Sequence, residues 1–237
     1  MIKGLPAKRK VQIEGEDRRQ MSEWNEIIRE KVYSPEEPDE HVVHFAGQLR
    51  RERALRVLDL DCGAGRHMIY MTKQGFQTFG VDFSETGLKM AKKRLGKERL
   101  RASLVRCDMK MLPFVGLCFD AVICTRAIYH QKIAGIQDTI SEIHRTLRKN
   151  CLLLVDFLSK RTYSYGRGMG VEADTFVEQE GFEKGVVHHF TDEEELKLLF
   201  RDFKIINMEM RERVVEGKLR SRWIVTAMVQ MDSNLGS

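Results

Sequence analysis

Apolar positions along the chain follow two alternating patterns. Short runs, apolar at most positions, occur at Arg56–Leu60, Thr78–Val81, Ser103–Arg106, Phe119–Cys124, Leu152–Phe157, Lys204–Met210 and Trp223–Val229. Runs of this length, bounded by turn-forming residues, predict buried strands. Between them apolar positions recur every three or four residues, the period of a helix with one buried face. Leu88, Ala91 and Leu95 form one such stripe, opened by Ser84 and closed at Gly96. Ile136, Ile140, Ile143 and Leu147 form a second that ends at Asn150, and Thr191 with Glu194 has capping-box spacing ahead of Leu196, Leu199 and Phe200. The alternation predicts an α/β fold, a mostly parallel sheet with helices on both faces. Only "RERVVEGKLRSR" lies between or at the edges of the last two runs. That is short enough for a hairpin, so the sheet should end in an antiparallel pair.

Two stretches stand outside this rhythm. At the N-terminus, Met21, Trp24, Ile28 and Val32 recur at helical spacing before "SPEEPDE" interrupts with two prolines, and Val42, Phe45, Ala46 and Leu49 follow on a second stripe. These predict a helical cap over residues 1–54, preceding a main domain at 55–237. From Ser159 to Val187 no period is sustained, and "YSYGRGMG" is rich in glycine and tyrosine. A long irregular insertion in a compact domain predicts a lid or binding loop, here 159–187.

Composition narrows the class. The 237 residues suit one α/β domain with decorations, and the 42% apolar and 32% charged content is that of a soluble globular protein. Runs such as Cys151–Val155 are too short to span a bilayer, and no apolar segment follows the charged N-terminus, so no membrane and a cytoplasmic location are expected. The five cysteines, Cys62, Cys107, Cys118, Cys124 and Cys151, show no CxxC and read as buried free thiols. The net charge of +5 is modest and its signs are interleaved. Nucleic acid is therefore not expected as a partner, and the cluster Lys8–Lys10 reads as a solvated terminus.

The chemistry concentrates at strand ends. "VLDLDCGAGRH" leaves the first strand and enters a helix, with Gly63 and Gly65 letting the backbone approach a ligand. A dinucleotide loop would need a third glycine where Met68 stands, which disfavours a nicotinamide oxidoreductase. Asp82, 19 residues after Gly63, should end the second strand and is placed for ribose hydroxyls. Asp108 ends the third, where it could receive an adenine amino group.

With "GVDFS", "CDM" and "FDAVICTRAIYH", these stretches resemble the class I S-adenosylmethionine-dependent methyltransferases of the small-molecule type, over about Arg56 to Phe157. The resemblance implies a doubly wound, Rossmann-like, seven-stranded sheet with a reversed last strand. It implies S-adenosyl-L-methionine as cofactor and S-adenosyl-L-homocysteine as product. Asp59, Gly63 and Gly65 would line the methionyl end, Asp82 would hold the ribose and Asp108 would meet the adenine. Asp61, Cys62, Arg66, Phe83, Met109 and Thr125, on the same segments, complete the expected cofactor set. Asp61 departs from the family, whose loop has glycine there. Aspartate tolerates a left-handed backbone, so the turn should survive, and its charge suits a ligand bearing an ammonium and a sulfonium.

For catalysis the expected residues are Tyr129, His130 and Arg126 after the fourth strand, and His189 in "VVHHFT". No metal set is expected, because no Cys, Asp or Glu completes a recognisable spacing with the paired histidines. Arg126, Arg161 and Arg167 with the histidines would make the pocket mouth electropositive, while Tyr163 and Tyr165 sit in the same insertion. The expected reaction is in-line methyl transfer to a small anionic acceptor by a monomer or homodimer. An RNA or protein methyltransferase and a non-catalytic S-adenosylmethionine-binding protein remain alternatives.

Overall fold

The computed structural model describes residues 24–28 and 36–230. Lys8–Lys10, Met21 and Val32 lie outside them. The strands are β1 (Arg56–Leu60), β2 (Gln77–Asp82), β3 (Ser103–Arg106), β4 (Phe119–Cys124), β5 (Leu147–Ser159), β6 (Met169–Glu172), β7 (Thr175–Val177), β8 (Val187–Thr191), β9 (Phe203–Val215) and β10 (Lys218–Val229). The helices are α1 (Glu40–Arg51), α2 (Arg66–Lys73), α3 (Glu85–Lys97), α4 (Ile133–Thr146) and α5 (Glu193–Leu199). All seven expected strands are present. They lie in the order β3-β2-β1-β4-β5-β10-β9, with β1 to β5 parallel and β10 antiparallel to both β5 and β9.

Both faces of this sheet are covered, which is why its central strands read as nearly unbroken apolar runs. Leu58, Leu60, Val122 and Cys124 pack with Ile136, Ile140 and Ile143 of α4 and Leu196 and Phe200 from the α5 segment. Val57, Ala121, Ile123, Leu152 and Leu154 face the other way, onto Val42, Phe45, Ala46 and Leu49 of α1 and Met71 of α2. The stripe read from the sequence is therefore the buried face of α1, but α1 is a layer of the sheet's core and not a cap. Among the described N-terminal residues, Trp24 and Ile28 of the helical segment 24–28 and Asp39, Glu40 and His41 lie in the wall of the cleft.

The insertion is more ordered than its composition suggests. It contains β6, β7 and β8, an antiparallel meander whose last strand continues the sheet from the end of β5 through Leu158↔Phe190 and Ser159↔Thr191, so the sheet has ten strands. Strands of three to five residues leave no readable period. Tertiary packing holds them, with the rings of Tyr165, Phe176 and Phe190 meeting edge to face at 5.6–5.9 Å.

Local punctuation is mostly as read. Ser84 caps α3 by accepting the Gly87 N–H at 3.0 Å. At α5 the cap is one residue later than expected: Asp192 accepts the Glu195 N–H at 3.0 Å, while the Thr191 hydroxyl donates to the Leu158 carbonyl. α4 ends at Thr146, and Leu147 already begins β5. The β9–β10 turn is Glu216-Gly217, with φ of +51° and +72°, the two left-handed residues that match a turn to the twist of a hairpin. All five cysteines are free.

Candidate active site

The loop between β1 and α2 has three left-handed residues, Asp61 (φ +61°), Gly63 (φ +51°) and Gly65 (φ +83°). Their reasons differ. A Cβ on Gly65 would lie 2.9 Å from the Ala91 Cβ, so this glycine allows α2 to close on α3. A Cβ on Gly63 would meet nothing within 4 Å, so only the turn demands glycine there. Asp61 takes up the left-handed turn, and the loop keeps its course without its first glycine.

Asp82, at the tip of β2, accepts the N–H of Gly63 on Oδ2 and that of Ser84 on Oδ1, both at 2.6 Å. It therefore fastens the loop to the neighbouring strand. Asp59 is buried behind it with Oδ2 lacking any hydrogen-bond partner. Burial pushes its carboxyl up to about 7, against the pull of Arg66. Asp61 is raised well above the carboxylate range, first by burial and then by Asp82, with which it shares a hydrogen bond. An orphaned buried oxygen and a crowded acid pair are what a cationic ligand would relieve. The donor set thus fits an S-adenosyl group, whose ammonium and sulfonium are both positive.

The cleft has two lobes, of about 970 and 640 Å³, that meet at Trp24, Asp61, Asp82, Phe83, His130 and Glu178. Cys62, Gly63, Arg66 and Thr125 line the larger lobe; Asp108 and Met109 line the smaller. Asp59 and Gly65 lie behind the wall and shape the loop from beneath. The Asp108 carboxylate also caps its own turn, accepting the Lys110 N–H at 2.8 Å.

Arg126 was expected to steady an anion, and the structure corrects that. Its guanidinium is held by Asp39 at 2.7 and 3.1 Å, and Arg66 grips the same carboxylate at 2.6 and 3.1 Å. Burial would raise the Asp39 carboxyl, but these two cations and the nearby His67 outweigh it and hold it far below the usual carboxylate range. The clamp joins the residue before α1 to the first residue of α2 and to Arg126, two residues past β4. It fixes the Arg126 guanidinium in the wall of the larger lobe, with one carboxylate shared between two cations.

The other expected cations are also engaged. Arg161 pairs with Glu212 at 3.1 Å, and Arg167 lies over the Tyr163 ring at 5.6 Å, outside the lining of either lobe. Positive charge at the mouth comes instead from the β9–β10 hairpin. Arg213 and Arg220 are directly opposed across it and both line the larger lobe; Arg220 also lies over the Tyr163 ring at 5.3 Å, and neither has a carboxylate partner among the described residues.

Tyr129 is fully buried, and its hydroxyl accepts from Arg222 Nη1 at 2.5 Å; the same arginine is anchored by Asp156 at 2.9 Å. His130 lies at the junction of the lobes, 4.7 Å from the Trp24 ring centroid. His189 does not reach the cleft: strand alternation turns it away, onto Thr175 Oγ1 at 2.7 Å and Glu195 at 3.2 Å. Its neighbour His188 lines the larger lobe and pairs with Glu183 at 3.4 Å. Asp39, Asp156, Glu183, His188, Arg213, Arg220 and Arg222 all went unread in the sequence. Of these only His188 carried a signal, as half of "HH".

Residues 57–150 match the family described as a methyltransferase domain. Over these residues the chain carries a methyltransferase domain of the class I S-adenosylmethionine-dependent type. S-adenosylmethionine is the cofactor of that family. The putative methyltransferase YqeM of Bacillus subtilis is 26% identical over 184 residues, 76% of this chain and 72% of that protein. A putative methyltransferase of Geobacillus sp. is 29% identical over 110 residues, 46% of this chain but only 44% of its own length. The Burkholderia thailandensis 1,6-didemethyltoxoflavin-N1-methyltransferase, solved with 1,6-didemethyltoxoflavin and S-adenosylhomocysteine, superposes with a TM-score of 0.69. It covers 95% of this chain and 94% of that one at 18% identity, a likeness of fold. No helix among the described residues is long and apolar enough to cross a membrane.

Proposed function

We propose that this chain transfers a methyl group from S-adenosylmethionine to a small anionic acceptor held in the larger lobe. One observation carries the choice of acceptor: Arg213 and Arg220 are directly opposed on the hairpin wall of that lobe, without carboxylates to offset them. Like charges directly opposite destabilise a strand pair unless an anion lies between or over them.

When bound, S-adenosylmethionine supplies an electrophilic methyl group for in-line displacement. The chain's part is to bind, align and exclude water. In this reading Asp82 accepts from the ribose hydroxyls, Asp108 with Met109 borders the adenine, and Asp59 and Asp61 set negative charge against the ammonium and sulfonium. Cys62, Arg66, Phe83 and Thr125 form the adjoining wall. Tyr129, fixed by Arg222, and His130 stand where the lobes join and would orient the acceptor. Trp24 and Ile28 shield that junction from solvent.

Calorimetry with S-adenosylmethionine, followed by methylation assays on acceptors graded by charge, tests the reading. Micromolar or tighter cofactor binding and faster turnover of anionic acceptors are expected. A cofactor-loaded protein that prefers neutral or cationic acceptors overturns the substrate class; failure to bind the cofactor overturns the whole.

A further inference from the structure

Three residues in the larger lobe converge, of which Glu183 and His188 have no role in the scheme above and His130 only that of orienting the acceptor. His130 follows β4, His188 lies on β8, and Glu183 sits in the turn between β7 and β8. Each offers one ligand atom, and all three atoms lie within 4.8 Å of one another. His188 Nε2 and Glu183 Oε2 are 3.4 Å apart. Two ligands at bond lengths of about 2.0–2.1 Å around a tetrahedral ion are separated by about 3.3–3.4 Å, so this pair already has the spacing of one coordination edge. The third ligand needs to approach by little more than about 1 Å, which rotation of an imidazole supplies.

We propose that His130, Glu183 and His188 bind one divalent transition-metal ion, zinc or another first-row dication. Two imidazoles and one carboxylate are the ligand set such ions favour, and three protein ligands leave a position open to the lobe. The surroundings are already organised. The His130 and His188 rings lie 4.9 Å apart, and Tyr129, Phe190 and Trp24 pack around them at 4.4–6.4 Å. Both histidines are buried, and a metal binds the neutral imidazole ring of each. The loaded site would carry one net positive charge beside Arg222, and an anionic oxygen would suit the open position. That last point rests on the acceptor class proposed above; binding of the ion does not.

The test is titration of metal-freed full-length protein with Co²⁺, followed by visible absorption, with Zn²⁺ calorimetry in parallel. One ion per chain, with d–d bands of low-coordinate cobalt, is expected. Glu183→Gln, His188→Gln and His130→Gln should each weaken binding at least about tenfold, whereas His44→Gln, on the exposed side of α1, should not. X-ray absorption on the unaltered Co²⁺ protein needs no variant to fold and should show only nitrogen and oxygen neighbours, including imidazole. Sub-stoichiometric binding, binding that survives Glu183→Gln and His188→Gln, or a sulfur neighbour from one of the five cysteines would each overturn the proposal. Calorimetry with S-adenosylmethionine on the same samples separates its failure from that of the methyl-transfer reading.

Discussion

The two ends of the cleft are built from opposite charges by opposite means. The cofactor end gathers Asp59, Asp61, Asp82 and Asp108 within about fifty consecutive residues, each at or just past the tip of an adjacent parallel strand. The acceptor end gathers His130, Asp156, Glu183, His188, Arg213, Arg220 and Arg222 from four separate segments, ninety residues or more from first to last. The first is fixed by one βαβαβ run, so its chemistry is tied to local chain geometry. The second depends on the meander and the hairpin docking against each other. The difference teaches that one fold can hold its donor site constant while the acceptor site is remade by elements added at the far edge.

Breaking the join between the two ends should have the largest effect. Asp39→Ala leaves Arg66 and Arg126 without their shared counter-charge and should cost about 3 kcal/mol in urea unfolding. Losing the cofactor end alone comes next. Asp82→Ala should weaken S-adenosylmethionine about 100-fold in calorimetry, by removing a charged acceptor that also fastens the loop. An equal loss of acceptor binding in the cofactor-free protein would erase the distinction between the ends. At the acceptor end, Arg213→Ala or Arg220→Ala should raise the KM for an anionic acceptor about tenfold with the cofactor Kd unchanged.

The smallest effect is also the most specific to the acidic end. Burial raises the Asp59 carboxyl to about 7 and Asp61 also upward, so below that pH a cationic cofactor must displace protons. Affinity should fall, by at most about tenfold per pH unit and proton, as pH drops through about 7, and calorimetry in buffers of different ionisation enthalpy should register proton release. For the cofactor-free protein the sign is reversed. The folded state binds more protons than the unfolded chain between the unperturbed carboxyl value of 3.8 and about 7, so its stability should decline as pH rises across that window. Asp61→Asn should flatten both profiles, since it keeps the side chain's tolerance of the left-handed turn and removes one carboxyl.

What could be read from the sequence follows the same division. The seven main strands, the α1, α3 and α4 stripes and the Asp82 tip all rest on periods and spacings shorter than thirty residues. Asp61 could be judged because left-handed backbone is a property of the residue itself. The assignments that failed were set by distant partners. Arg126 is tied to Asp39, 87 residues away. His189 turns inward because its register opposite Thr175, set by pairing with β7, directs His188 to the cleft. β6, β7 and β8 were missed because strands this short are held by contacts and not by their own pattern. Arg213 and Arg220 look like any solvated charges until the two-residue turn sets them opposite one another.

The clamp at Asp39 has a practical consequence. A gene fragment cut at the limits of the recognised domain, 57–150, would omit α1, the carboxylate that pins Arg66 and Arg126, and every strand beyond the first few residues of β5. Such a piece would keep the loops at the tips of β1, β2 and β3, proposed above to meet the cofactor, and lose the parts that hold them still. Any boundary chosen for expression or for domain swapping should begin upstream of Asp39 and run through β10.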